Sequence, residues 1–275
     1  MSNSTTQKQE GSAKNMFASL AIPILVAVGI CIYLFILGNP ANFEGGDNKN
    51  HPIAEGVGHT LGLIYKGGFI VPILLSLVLM SITFSIERFL VINKASGKGS
   101  AEAFVAKVKS FLSSGNIDSA IAECDKQRGS VANVVKASLH KYKEMAAETS
   151  MDKEQKILAI QKELEESVSL ELPMLEKNLV IIATMASVST LIALLGTVLG
   201  MIRAFSALGA AGAPDSTALA NGISEALINT ALGIANSAVA IIMYNVFTTK
   251  IDKITYTIDE AGFSIVQTFA SQTKR

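Results

Sequence analysis

Four stretches of the chain are apolar for long enough to cross a bilayer, which takes about 20 predominantly hydrophobic residues in a helix. They are FASLAIPILVAVGICIYLFIL at 17–37, GGFIVPILLSLVLMSITFSI at 67–86, a third from Leu179 to Ile202, and a fourth from Ala220 to Phe247. Between the second and third, the pattern changes to amphipathic helices. Phe104, Val108, Phe111 and Leu112 recur at helical spacing, and Ser113-Ser114-Gly115-Asn116 breaks the run. A further helix starts near Asp118, and another carries Val131, Val134, Val135 and Leu139. From Asp152 the positions Ile157, Ile160, Leu164, Val168, Leu172 and Leu175 continue at intervals of three and four into the third span. This predicts one long helix leaving the membrane, with a bend at Pro173. The fourth span continues likewise through Ile251, Ile254, Ile258 and Phe263. No strand pattern occurs. The expected fold is all-α: an integral membrane protein with four transmembrane helices, two of them extended into the cytoplasm.

Composition agrees with lipid as solvent. Of 275 residues, 49% are apolar and only 17% charged, against roughly 25% charged in soluble domains. The 23 basic and 23 acidic residues cancel, so no bulk charge invites nucleic acid. Tryptophan is absent, which leaves interfacial anchoring to tyrosine and phenylalanine. Cys31 and Cys124 lie in unlike surroundings, so neither a disulfide framework nor a zinc site is expected. The first span is too long for a signal-peptide core of about 7–15 residues and lacks a small-x-small cleavage site, so it reads as an uncleaved helix.

Basic residues set the expected orientation. The 38–66 segment holds only Lys49 and Lys66, and the 206–217 connection holds none, while the region 93–178 carries thirteen. The tail adds Lys250, Lys253, Lys274 and Arg275. Both termini (1–16 and 249–275) and the 93–177 region are therefore expected in the cytoplasm. The 38–66 and 206–218 loops are expected outside it, with transmembrane helices at 17–37, 67–92, 178–205 and 219–248.

Chemistry concentrates on the last two spans. After Glu225 the chain runs 24 residues, Ala226 to Thr249, without a formal charge. On a helical wheel Glu225, Asn229 and Asn236 fall within about 40° of one another, with Gly222, Gly233 and Ala240 beside them. Small and polar residues often do no more than pack helices in a membrane. A carboxylate is costlier, and usually faces an interior or water. Glu225 is expected about five residues into its span, roughly 7.5 Å below the helix start. The third span carries Gly196 and Gly200 in GTVLG, a small-xxx-small pair that permits close helix approach. Thr197 there either lines a pore or satisfies a carbonyl of its own helix. Glu87-Arg88 reads as an interfacial anchor, and Arg203 either snorkels or pairs with a carboxylate. His51 and His59 lack ligand-like neighbours, so no metal site is expected. No phosphate-cradling loop, triad or HExxH occurs; no cofactor is implied, and an enzyme has no motif to rest on. A secondary transporter would want inverted repeats and broken helices, and a non-conducting scaffold remains as a further alternative.

LLGTVLGMIRAFSALG (194–209) followed by ISEALINTALGIANSAVAIIMYNVF (223–247) resembles the MotA/TolQ/ExbB proton-channel family, and GGFIVPILLSLVLMSITFSIERFLVI (67–92) resembles that family's first helix. The glutamate at 225 and the lack of prolines in spans three and four place the resemblance with the ExbB and TolQ branches, nearer ExbB, rather than the flagellar stators. The resemblance implies a homopentameric ring in the inner membrane around a partner helix, driven by the proton-motive force. It also implies an ExbD-like single-span partner with an intramembrane aspartate, and a TonB-like protein. Thr197 and Thr230 match the family's pore threonines and Glu225 its carboxylate, although Thr230 lies about 140° from Glu225 on the wheel. Asn229 and Asn236 join them as expected pathway residues. Gly196, Gly200, Gly222 and Gly233 are expected to pack helices. The helix at 17–37 and the loop after it have no counterpart in the common three-span pattern.

Overall fold

The computed structural model describes residues 19–210 and 216–272. The tail expected at 1–16, the last three residues of the helix expected at 249–275, and the centre of the 206–218 connection lie outside these residues. Among the described residues the fold is helical throughout, with one isolated bridge between Phe43 and Pro52. Nine α-helices follow in chain order: α1 (Ser19–Leu37), α2 (Val57–Tyr65), α3 (Val71–Ala95), α4 (Ala101–Ser113), α5 (Ile117–Gln127), α6 (Gly129–Ala147), α7 (Lys153–Glu176), α8 (Leu179–Ala210) and α9 (Ser216–Gln272). Among the described residues four apolar helical stretches are long enough to cross a membrane, in α1, α3, α8 and α9. This is a multi-pass membrane protein. The chain divides into two compact units, one built from residues 1–85 and 180–244, the other from 86–179 and 245–275.

In the first unit α1 is the least enclosed span, with 11% of its apolar window buried. A helix so apolar all round and so little covered keeps most of its surface for lipid. Its seam on α3 is tight at Gly29, where any β-carbon would press on Pro72 O and the Ser76 backbone. Its last turns, Ile32–Leu37, are π-helical. The carbonyls left open there are answered by Asn42, whose amide donates to Ile36 O (2.8 Å) and Leu37 O (3.0 Å).

The 38–66 segment differs from the plain loop expected. It is folded, with two short 3₁₀ turns and helix α2. Tyr65 stacks on Tyr33 at 4.7 Å between ring centroids and meets Phe43 edge-on. Lys66 donates to Asn48 O and Lys49 O and stands over the Phe43 ring. Gly58 and Gly62, one turn apart, let α2 lie against Ile53, Asn42 and Pro52. Two glycines in nine residues hid this helix from its propensity; contact with the aromatic cluster supplies what propensity lacks.

In the second unit α4 to α7 pack with the ends of α3 and α9. Phe104, Val108, Leu112, Val131, Val135, Leu139, Ile160, Ile251, Ile254 and Ile258 are buried as their spacing predicts, while Phe263 faces outward. Ser100, Asn116 and Asp152 cap α4, α5 and α7, and Asp152 with Gln155 forms a reciprocal capping box. Gly115, at φ +71°, supplies the break after α4.

The bend expected at Pro173 lies elsewhere. Pro173 sits inside α7, and the helix ends at Lys177–Asn178, where Asn178 takes φ +65°. The last carbonyls of α7 are held by Arg88, which donates to Met174 O (3.3 Å) and Leu175 O (3.2 Å). Arg88 is also paired with Glu87 and is 2% exposed. It is a buried cap rather than an interfacial anchor.

Candidate functional site

The seam between α8 and α9, within the first unit, is made close by small residues. A β-carbon on Gly200 would meet the Gly222 carbonyl at 3.0 Å and Ala226 at 3.1 Å. One on Gly222 would reach the Gly200 carbonyl at 2.9 Å, and one on Gly196 would stand 2.9 Å from Asn229. Gly233 is backed by Ala193 and by the Ser189 carbonyl, which a β-carbon would approach to 2.6 Å. All four glycines thus pack helices within one chain. Their face is used up before any second copy could reach it.

Two polar groups flank this seam. On one side the hydroxyls of Thr197 and Thr230 are hydrogen-bonded to each other. Thr197 also reaches Ala193 O at 3.1 Å, and Thr230 reaches Ala226 O at 3.0 Å. Both threonines are half-buried. Thr197 borders a shallow groove with Val198, Met201, Ile202, Phe205 and Ser206. Thr197 thus bonds its own helix, as one of its two readings had it, and meets Thr230 beside an open, apolar surface.

On the other side Glu225 is paired with Arg203, Nη1 to Oε1 at 2.5 Å, so the choice left open for Arg203 goes to pairing. The wheel separation of Thr230 from Glu225 is real in the fold. One meets α8 at residue 197 and the other at residue 203, on opposite margins of the same contact. Glu225 is also deeper in its helix than expected. Because α9 starts at Ser216, it stands nine residues in, about 13.5 Å from the end. A helix N-terminus favours an anion only within its first turn, so the compensating charge is the guanidinium.

Asn229, fully buried, donates to Gly67 O at 2.9 Å, while its Oδ1 is buried without a hydrogen bond. Asn236 donates to Ser189 Oγ at 2.7 Å, and Ser237 donates to Ala186 O at 2.6 Å. Serines 189 and 237 and the Gly67-Gly68 pair are parts of the site that sequence reasoning missed. The glycine doublet at the head of the second span was the available signal.

The family described as the MotA/TolQ/ExbB proton channel family matches residues 127–260, which include Thr197, Glu225 and Thr230 but not α1, α2 or α3. Among curated proteins, the chain is 38% identical over 86 residues to putative biopolymer transport protein ExbB-like 3 of Synechocystis sp., covering 30% of this chain and 41% of that one. It is 40% identical over 84 residues to the Tol-Pal system protein TolQ of Haemophilus influenzae, covering 30% and 37%. It is 28% identical over 85 residues to the biopolymer transport protein ExbB of Salmonella typhimurium, covering 31% and 35%. The matched segments thus span well under two thirds of these relatives. The match to the MotA/TolQ/ExbB proton channel family covers just under half of the chain, and it takes in the threonine pair and the Arg203–Glu225 ion pair.

Proposed function

We propose that the chain is an ExbB-like subunit of an inner-membrane complex that couples the proton-motive force to TonB-dependent transport across the outer membrane. The observation that carries this reading is the Thr197–Thr230 hydroxyl pair on an apolar groove of α8. Hydroxyls there offer exchangeable protons without a fixed charge, across the seam from the one ion pair it contains among the described residues. An elementary charge crossing the membrane releases about 2.3 kcal/mol per 100 mV. Using that energy requires a titrating group that moves, and among the described residues the deep part of the spans offers no carboxylate beyond Glu225. The partner is then a single-span, ExbD-like chain carrying an intramembrane aspartate, with a TonB-like protein as the load.

In this proposal several copies, five by resemblance, surround the partner helix. Glu225, Thr197, Thr230, Asn229 and Asn236 belong to the proton path or its lining. The termini and the 93–177 helices face the cytoplasm, as the basic residues argue. The seam glycines are spent within one chain, so ring contacts fall to exposed apolar surface such as Leu191, Leu194, Leu227 and Ile234.

The test is reconstitution with the co-expressed single-span partner in liposomes under an imposed potential. Partner-dependent proton uptake supports the reading, and its absence from a correctly inserted complex rejects it. A TolQ-like role in envelope maintenance is the second reading, favoured by the identity to the Haemophilus protein. A deletion strain separates the two: loss of TonB-dependent uptake marks the first, and detergent sensitivity with normal uptake marks the second.

A further inference from the structure

The Arg203–Glu225 pair is seated more elaborately than a surface ion pair. Glu225 is 13% exposed and Arg203 49%. The guanidinium lies over the Phe69 ring, 5.2 Å from its centroid, an arrangement that restricts where a cation can stand. Against the same carboxylate oxygen lies Gly68, at φ +78°, where a β-carbon would run into Glu225 itself and come within 3.5 Å of Arg203. One turn further along α9, Asn229 ties the same turn down through Gly67 O. A cation, a ring and a glycine turn thus converge on one acid.

We propose that Arg203 is the positioning residue for Glu225, holding its carboxylate against the Gly67–Phe69 turn as a fixed anion at the head of the α8/α9 seam. This rests on the transport reading above and assigns roles within it. Glu225 sets the field at the entrance and does not swing as a carrier. Proton transfer is left to the hydroxyl side of the seam and to the partner. An arginine suits this office because its planar fork stays charged and can stack and bond at once, which an ammonium does less well.

Two measurements on the full chain in lipid decide it. The first is solid-state NMR dephasing between ¹⁵N-arginine side chains and ¹³C-glutamate carboxylates. Two pairs are expected among the described residues, Arg88–Glu87 and Arg203–Glu225, and Arg203→Lys or Glu225→Gln should remove one. A signal unchanged by both variants overturns the proposal, whether or not the protein conducts. The second is partner-dependent proton flux. Arg203→Met and Glu225→Gln should each lower it about tenfold, the double variant should be no worse than either, and Arg203→Lys should recover part of the loss. Independent, multiplying losses from the two single variants overturn the positioning role. If the wild type itself fails to conduct, the transport reading falls, and the NMR contact alone decides whether Arg203 fixes Glu225.

Discussion

Thr197 and Thr230 share more acceptors than they have protons. Their hydroxyl oxygens are bonded to each other, Thr197 also faces Ala193 O and Ala226 O, and Thr230 faces Ala226 O. Each hydroxyl carries one proton. If Thr230 donates to Ala226 O, Thr197 can donate to Thr230. If the pair reverses, Thr230 donates its hydrogen bond to Thr197, which then donates to a carbonyl. The two arrangements differ by rotation of two hydroxyls and need no movement of either helix.

That degeneracy gives the first prediction. Thr197→Ser and Thr230→Ser keep the hydroxyls and should retain most partner-dependent proton flux. Thr197→Val and Thr230→Val keep the shape and should lower it at least tenfold. Each valine should cost only about 1 kcal/mol of stability, the usual net value of one hydrogen bond. Full flux in the double valine variant would remove these residues from any proton path.

The second prediction concerns the glycines. Gly233→Ala puts a methyl group against Ala193 and the Ser189 carbonyl, and Gly196→Ala puts one against Asn229. Overpacking of a close-fitting seam typically costs about 1–3 kcal/mol. Both variants should lower the thermal midpoint of the subunit itself in detergent. If instead only the oligomer dissociates while the subunit melts normally, the glycines pack between copies rather than within one.

Much of this fold was legible in the sequence because hydropathy and helical period are local properties. The four spans, the start of the α7 pattern at Asp152, and the shared face of Glu225, Asn229 and Asn236 all depend on neighbours within a few residues. What escaped depended on distant partners. Arg88 looked like an anchor because residues 174 and 175, whose carbonyls it caps, lie 86 and 87 positions away. The pairing of Arg203 was one of two open readings, and the choice of Glu225 needed the contact across the connection between α8 and α9. The break after α7 was sought at Pro173, yet proline without a donor can be carried inside a helix whose end is capped elsewhere. Helix α2 was invisible because contacts to Phe43 and Pro52, not periodicity, hold it.

The third prediction is a pH dependence of the second unit. Cys124 is buried and donates to Ala120 O, and burial pushes its thiol up to about 12. The folded value lies above the unfolded one, so the contribution is complete below about 9 and is lost as pH rises toward 12. Chemical denaturation at pH 8 and pH 10.5 should show lower stability at the higher value. In Cys124→Ala the part of that loss due to the thiol should vanish. Iodoacetamide at pH 8 should leave Cys124 unmodified until denaturant is added. Rapid native labelling at this site would contradict its burial.

The last prediction tests the buried cap. Arg88 is almost wholly enclosed, forks onto Glu87, and satisfies two carbonyls at the end of α7 where no helical N–H remains to do so. Asn178, in the left-handed conformation just beyond, adds a hydrogen bond to Glu87 Oε2 at 3.3 Å. Removing the guanidinium strands both carbonyls and leaves the Glu87 carboxylate without its cation. Breaking a buried pair from one side typically costs about 3–5 kcal/mol. Arg88→Leu should therefore lower the denaturation midpoint sharply and open the α7/α8 joint to trypsin at Lys177. Lysine cannot fork onto a carboxylate and two carbonyls together, so Arg88→Lys should recover less than half of the loss. Glu87→Gln combined with Arg88→Met removes both charges and should be milder than Arg88→Leu alone. Were Arg88→Leu as stable as the wild type, with Lys177 still protected, the cap would have to be supplied by another group and the anchoring role restored to Arg88.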